Sequence, residues 1–449
     1  MKSAVGLGLL SSALASTHQN NINHVPQQQA FLQNACPSDS VLHNGECLSS
    51  GFAIPSTTES VSFQENGTLS LDESRALAAR AEDFHWTFWP ECYSSATTPE
   101  PVCVFTDQSF ADGRGIFIVT TSKLAHQMLK KPAFADPKNA LNRINKHSNP
   151  PFIQYEFPGK GRGLVANKTL NRGDQIFAST PLLITNPVSY EILETERLRL
   201  AHRGVDTLPP SSKASFWALL DHFKGDPVDD RINTNAFEIE IDGVSQYGVL
   251  PEIAMLNHDC RPNAAYFWDE ETLSHYVHAT ETILPGQEIT ITYINNERSR
   301  EKRVKNLKAN WGFECSCSSC SAHPFFVAES DARVEQIAEL AGYLDDWTPA
   351  SKATPEMAEA LLSLYVQERL HASMGVAYKH AAEAYSSFGE RDMAIRYARL
   401  AVEYVVLDKG FRDRDVREMQ SMAKDPSMTW SWKKRVGHKR ANAGCEHAH

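Results

Sequence analysis

The 449-residue sequence has no apolar run approaching the roughly 20 residues that a helix needs to cross a bilayer, so no membrane span is expected. It also has no basic excess: 44 Lys and Arg stand against 55 Asp and Glu, a net charge of -11. Direct nucleic-acid binding needs a basic face, so none is expected. Its Gly-rich stretches lack a G-K-[ST] ending, and no helical pattern follows them directly. That excludes a phosphate loop and a dinucleotide fingerprint. Cysteine is scarce, with nine residues in all, and no cysteine cluster falls between 164 and 247. What remains is a chain with the 42% apolar and 22% charged content of a soluble globular protein, long enough for two or three domains.

The chain changes texture along its length. Residues 1–15, "MKSAVGLGLLSSALA", read as a secretory leader, with Lys2, a mildly apolar centre and a small-residue cleavage site. Residues 16–35 are Asn/Gln-rich and expected to be disordered. A cysteine-containing region follows at 36–129, holding Cys36, Cys47, Cys92 and Cys103, an even number that suits disulfides. The sequons at Asn66 and Asn167 are compatible with secretion. The proline- and asparagine-rich stretch 130–151 predicts a linker. Short strands and turns dominate 152–294, interrupted by a polar helical insertion at about 188–232. Beyond Cys320 apolar residues recur at three and four, predicting helices over 323–437 before a tail at 438–449. Ala382, Tyr385, Gly389, Ala394 and Ala401 are spaced as in one tetratricopeptide unit, or equally as in a plain antiparallel helix pair.

Local chemistry concentrates in four places. "FECSCSSC" (313–320) brings three thiols together, and thiolates this close repel unless a cation neutralises them. Zinc takes four ligands, and Cys260 in "LNHDCRPNA" (256–264) is the other cysteine of the strand-rich half. A disulfide with free thiols, or inert buried cysteines, would fit the same spacing. "GKGRGLVA" (159–166) is a Gly-rich turn entering a strand, where backbone can approach a ligand closely. "DGRGIFIVTT" (112–121) repeats its pattern, but no second turn and strand follow, so Gly113 and Gly115 read as a structural turn. "GQEITITYI" (286–294) is a strand ending on a tyrosine.

Taken in order and spacing, these motifs resemble those of SET-domain protein lysine methyltransferases, closest to the SMYD-like and fungal members with a helical domain after the zinc segment. The resemblance covers about 152–322 and implies an α+β fold: a β-rich SET domain (152–294), a post-SET zinc segment (295–322) and an all-helical, TPR-like C-terminal domain. It implies S-adenosylmethionine bound by Lys160, Gly161, Arg162 and Gly163, by Asn257 and His258, and by Phe313 stacking on adenine. Tyr293 would lie beside the departing methyl as the catalytic residue, with Phe237 and Trp311 lining a lysine channel. A structural zinc would take Cys260, Cys315, Cys317 and Cys320. Two departures stand out: Asp259 replaces the serine of the usual Asn-His-Ser-Cys, and the MYND zinc module of typical SMYD enzymes is absent. The expected function is methyl transfer to a lysine of a protein or peptide substrate. The competing reading is a catalytically silent scaffold whose helical domain binds a protein partner. The leader implies the secretory pathway, whereas the resemblance implies nucleus or cytoplasm.

Overall fold

The computed structural model describes residues 84–146 and 148–436, together with the backbone of two antiparallel strands, β1 (Ser40–His43) and β2 (Glu46–Ser49). The expected leader, the 16–35 stretch, Cys36, the Cys47 side chain, Asn66 and the tail lie outside the described residues.

A six-stranded sheet takes β3 (Glu91–Tyr93), β4 (Val102–Asp107), β5 (Ile116–Thr121), β9 (Leu183–Thr185), β10 (Ala236–Ile241) and β11 (Val244–Val249). Their spatial order is β10-β11-β9-β5-β4-β3, antiparallel throughout except for β5 beside β9. β4 and β5 read VCVFTD and IFIVTT without polar alternation because both faces of the sheet are covered. Cys103, Phe105, Ile116 and Ile118 join one core with Phe110 and Phe134. Val102, Val104, Phe117 and Val119 join the other, which includes Leu200 and Val205 of the helix Glu194–Thr207.

This sheet corrects two expectations. The boundary drawn at 129 does not separate two bodies, since β5 pairs with β9 of the strand-rich region. The stretch 130–151 is not a free linker either. Its prolines start the one-turn helices Pro132–Ala135 and Pro137–Ala140, and Ala133, Phe134, Leu141 and Ile144 are buried. Cys92 and Cys103 face each other across β3 and β4 and are disulfide-bonded. The Asn167 amide donates to the carbonyls of Pro150 and Phe152 at 3.1 and 3.4 Å, tying that sequon into a turn.

Two smaller sheets complete the strand-rich region, and the first of them lines the candidate site. One takes β6 (Phe152–Phe157), β7 (Gly161–Ala166), β12 (Asn257–His258) and β15 (Glu288–Ile291) in the order β12-β15-β7-β6. The other orders β13 (Ala264–Asp269), β14 (Ser274–Ala279) and β8 (Gln175–Ser179). A core of Leu164, Phe177, Phe237, Leu256, Tyr266, Val277, Ile289 and Ile291 joins them. The insertion is helical as expected, with Glu194–Thr207, Pro210–Trp217 and Pro227–Asn235.

After the helix Arg300–Trp311, five helices follow: Pro324–Leu344, Pro355–Gln367, Met374–Phe388, Arg391–Asp408 and Arg414–Lys424. Each packs on the next. Ala382, Tyr385, Ala394 and Ala401 are buried where Met374–Phe388 meets Arg391–Asp408. Several links fasten this bundle to the strands, among them Arg172 with Glu403 at 3.2 Å. Arg261 pairs with Glu368, Tyr365 donates to Glu297 at 2.9 Å, and Arg412 donates to Asp269 at 2.9 Å.

Within the bundle the Asp415 carboxylate takes both Lys379, at 2.5 Å, and Lys409, at 2.6 Å, leaving Glu383 at 3.9 Å from Lys379. Burial pushes the Glu383 carboxyl up to about 7. A folded-state value above the unfolded one stabilises below the unfolded pKa, and that contribution is lost as pH rises through about 7. Glu383→Gln, which imitates the protonated acid, is therefore expected to raise the melting temperature at pH 8 by the equivalent of roughly 1–3 kcal/mol. At pH 5 the gain should be smaller. Thermal unfolding at the two pH values checks this, and an equal shift at both would refute it.

Candidate active site and metal centre

A cavity of about 790 Å³ opens where the β12-β15-β7-β6 sheet, the start of β10, the insertion and the end of Arg300–Trp311 meet. The Gly-rich turn enters it first. Gly159 and Gly161 take left-handed φ values of 76° and 78°, reversing the chain between β6 and β7 so that Lys160, Gly161 and Arg162 line the cavity. Lys160 reaches Glu288 at 2.8 Å, and the Asn257 amide donates to the other oxygen of the same carboxylate at 2.9 Å. Glu288 thus holds the turn and β12 in one arrangement. Arg162 crosses to the insertion and donates to the Ala218 carbonyl.

Gly163 sits behind the wall. A Cβ there would stand 2.5 Å from the Asn257 amide nitrogen and 2.8 Å from the Phe157 ring. Gly163→Ala is expected to push Asn257 out of place, weakening binding in the cavity by at least tenfold, about 1.4 kcal/mol. The melting temperature should fall by only a few degrees. Calorimetric titration checks it, and an affinity within threefold of wild type would contradict the crowding argument.

β12 runs parallel to β15, and the Asp259 N–H continues the ladder to the Ile291 carbonyl at 2.9 Å. Asp259 itself closes the turn: its carboxylate accepts the Arg261 N–H at 2.8 Å, a bond that a serine hydroxyl could also make. Burial and the neighbouring Cys317 push its pKa up to about 6. Asn263 is a strut, donating to the Glu288 carbonyl at 2.8 Å and accepting from the Thr290 N–H at 2.9 Å.

His258 is buried, and burial pushes its pKa down to about 3, so the ring is neutral. Its Nδ1 accepts the Tyr293 N–H at 3.0 Å, while Nε2 lies 3.4 Å from the Cys260 sulfur. Both ring nitrogens are thus engaged by protein atoms. The Tyr293 hydroxyl donates to the Leu256 carbonyl at 2.6 Å, and burial holds its pKa well above the usual tyrosine range. The Tyr293 ring lies 5.6 Å from Trp311 and 5.4 Å from His258. Phe313 approaches His258 at 6.2 Å. Phe237, from β10, is both core and cavity wall. Gly113 and Gly115 lie elsewhere, in a turn where Arg114 forks onto Glu252 at 2.8 and 2.7 Å.

The sulfurs of Cys260, Cys315, Cys317 and Cys320 lie within 4.8 Å of one another, and none is disulfide-bonded. Tetrahedral zinc with bonds of about 2.3 Å sets its sulfurs roughly 3.8 Å apart, so this set fits a four-thiolate metal site. It is the one cluster of metal-ligating type among the described residues. The buried guanidinium of Arg303 stands against Cys260 and Cys320, where the negative charge of four thiolates would gather.

Several site residues carry no sequence signal. Leu219, Leu220, His222 and Phe223 of the insertion line the cavity, and the His222 ring lies where a Cβ on Gly312 would stand, 2.5 Å away. Asp230 holds that loop by accepting the N–H groups of His222, Phe223 and Lys224 at 2.9 Å each. Arg303 was not expected from the motifs. Glu288 was legible only as the first residue of the tyrosine-ending strand.

With this geometry in view, residues 161–294 match the SET-domain family. The chain is 31% identical over 198 residues to histone-lysine N-methyltransferase set5 of Schizosaccharomyces pombe, covering 43% of this chain and 58% of that one. It is 22% identical over 305 residues to histone-lysine N-methyltransferase Smyd1 of Mus musculus, covering 62% of this chain and 61% of that one. Against protein-lysine N-trimethyltransferase SMYD5 of Mus musculus it is 45% identical over 69 residues, 15% of this chain and 17% of that one. The chain thus spans less than two thirds of the length of these relatives. Residues 161–294 thus match a SET domain, and parts of the chain are similar to SET5- and SMYD-type lysine methyltransferases.

Proposed function

We propose that this chain is an S-adenosylmethionine-dependent protein-lysine N-methyltransferase with a structural zinc in its four-cysteine site. The observation that carries the reading is convergence: Lys160 to Arg162, Asn257, Tyr293, Trp311, Phe313 and Phe237 come from five separate stretches yet line one cavity. S-adenosylmethionine, when bound, supplies an activated methyl group for in-line displacement by an amine. The protein's share is alignment, which can contribute several kcal/mol.

The Gly-rich turn, the Asn257–His258 backbone and Phe313 hold the cofactor, while Phe237, Trp311 and Tyr293 admit a lysine side chain. An apolar aromatic wall disfavours the hydrated ammonium and so lowers the lysine's pKa. Tyr293 is not the base, because its hydroxyl stays protonated and is already spent donating to Leu256. Its oxygen lone pairs remain to accept an N–H from the amine and orient it.

The test uses zinc-loaded full-length protein. Calorimetric binding of S-adenosylmethionine, followed by transfer of labelled methyl to lysine in a protein mixture, supports the reading. Binding without transfer to any protein or peptide offered would favour the silent scaffold, and no binding would overturn the assignment.

A further inference from the structure

The His258 ring has two neighbours that dictate where its proton sits. The Tyr293 N–H can only donate, so Nδ1, 3.0 Å away, must present its lone pair. In a neutral imidazole the proton then belongs on Nε2, which faces the Cys260 sulfur at 3.4 Å. The opposite tautomer would set N–H against N–H in a buried site. Cys260 is also 3.5 Å from Cys320, inside the cluster that fits a metal. The backbone on either side is fixed as well, by β12 pairing with β15 and by the Asp259 N–H on the Ile291 carbonyl. One imidazole therefore stands between a metal ligand and the backbone of the tyrosine that faces the cavity.

We propose that His258 is a positioning residue: its Nε2–H donates to the metal-bound thiolate of Cys260 while its Nδ1 holds the Tyr293 N–H, tying the metal centre to the placement of Tyr293. The proposal rests on the methyltransferase reading only for what Tyr293 does, and the tie itself concerns this chain's own atoms. A hydrogen bond to a ligating sulfur takes up part of its negative charge and makes it harder to protonate and release. Arg303, against Cys260 and Cys320, acts in the same sense from another side of the cluster. Loss of the metal would free Cys260, let the ring turn, and loosen the Tyr293 backbone. A methyl-transfer site would then sense its structural metal through this side chain as well as through the segment that carries the cysteines.

Two substitutions separate the halves of the tie. His258→Asn keeps an acceptor near the Nδ1 position but removes the donor to sulfur, whereas His258→Gln keeps an amide donor near the Nε2 position and gives up the acceptor. The readouts are zinc release to a chromogenic chelator, and imidazole nitrogen spectra of zinc-loaded wild type with the His258 signals assigned by their absence in His258→Gln. The expected results are a neutral Nε2–H tautomer for His258, at least tenfold faster zinc release from His258→Asn, and release within threefold of wild type from His258→Gln. For methyl transfer, His258→Gln should lower the turnover rate more than the KM for cofactor. An Nδ1–H tautomer in the zinc-loaded wild type, or zinc release from His258→Asn at the wild-type rate, would overturn the proposal. Neither readout involves methyl transfer, so a wild-type protein that fails to bind S-adenosylmethionine sinks the functional reading and leaves this inference to be decided on its own. Should both variants fold poorly, the wild-type spectrum decides.

Discussion

Tyr293→Phe is expected to lower methyl transfer by roughly 10²- to 10³-fold, the scale set by removing one preorganised polar group from a reaction centre. Affinity for S-adenosylmethionine should stay within about threefold, because the ring that packs on Trp311 is retained. The hydroxyl has two functions to lose. It donates to the Leu256 carbonyl at 2.6 Å, and in the proposed role its lone pairs accept from the amine that enters the cavity Tyr293 lines. Losing the first leaves a carbonyl without its partner, a cost of about 1–3 kcal/mol in stability. Losing the second leaves the incoming amine without its orienting acceptor. Because the phenol stays protonated far above neutral pH, its removal should scale the pH–rate profile down without moving the acidic limb. Single-turnover rates across pH measure this. A variant as fast as wild type would remove Tyr293 from the chemistry, and a displaced acidic limb would make it a titrating base.

The chemistry of the site was legible because it is written in short runs. Thiols at 315, 317 and 320 demand a cation or a bridge, and the Asn-His-x-Cys stretch puts a cavity-lining pair on a short strand with a sulfur two residues beyond it. What was not legible is whatever depends on distant pairing. β5 joins β9 across more than 60 residues, and nothing in IFIVTT names LIT as its neighbour. Residues 130–151 misled because proline and asparagine signal turns, whereas here two prolines start helical turns, the first of which delivers Ala133 and Phe134 to the core. The insertion was placed correctly as helical, yet its part in the cavity wall, through the Ala218 carbonyl and His222, comes from backbone and loop positions without a motif. Asp259 looked anomalous only against the family's serine. In place, it closes the same turn by accepting the Arg261 N–H.

Removing the metal should have the widest effect. Cys317→Ser, or exhaustive chelation of wild type, is expected to weaken S-adenosylmethionine binding by at least 100-fold, about 2.7 kcal/mol. The melting transition should also fall substantially, since structural zinc contributes folding energy outright. The reason lies in what the four sulfurs join. Cys260 follows β12, Cys315 to Cys320 follow the helix that ends on Trp311, and between them stand Phe313 and the αL residue Gly312 on which His222 rests. Without a cation, thiols packed within 4.8 Å keep no thiolate attraction to hold the 313–320 segment against the cavity. The damage should be graded by distance from the cavity. The bundle stays attached through the buried Arg261–Glu368 pair and so should retain its helical signal, while the aromatic wall is lost. Cys92→Ser supplies the control, because its bridge to Cys103 joins two already paired strands away from the cavity lining. That variant should bind cofactor within threefold of wild type. Metal content by mass spectrometry, calorimetry and circular dichroism on the three preparations separate these outcomes. Full-affinity binding by the metal-free protein would mean that the cysteine cluster does not shape the cavity.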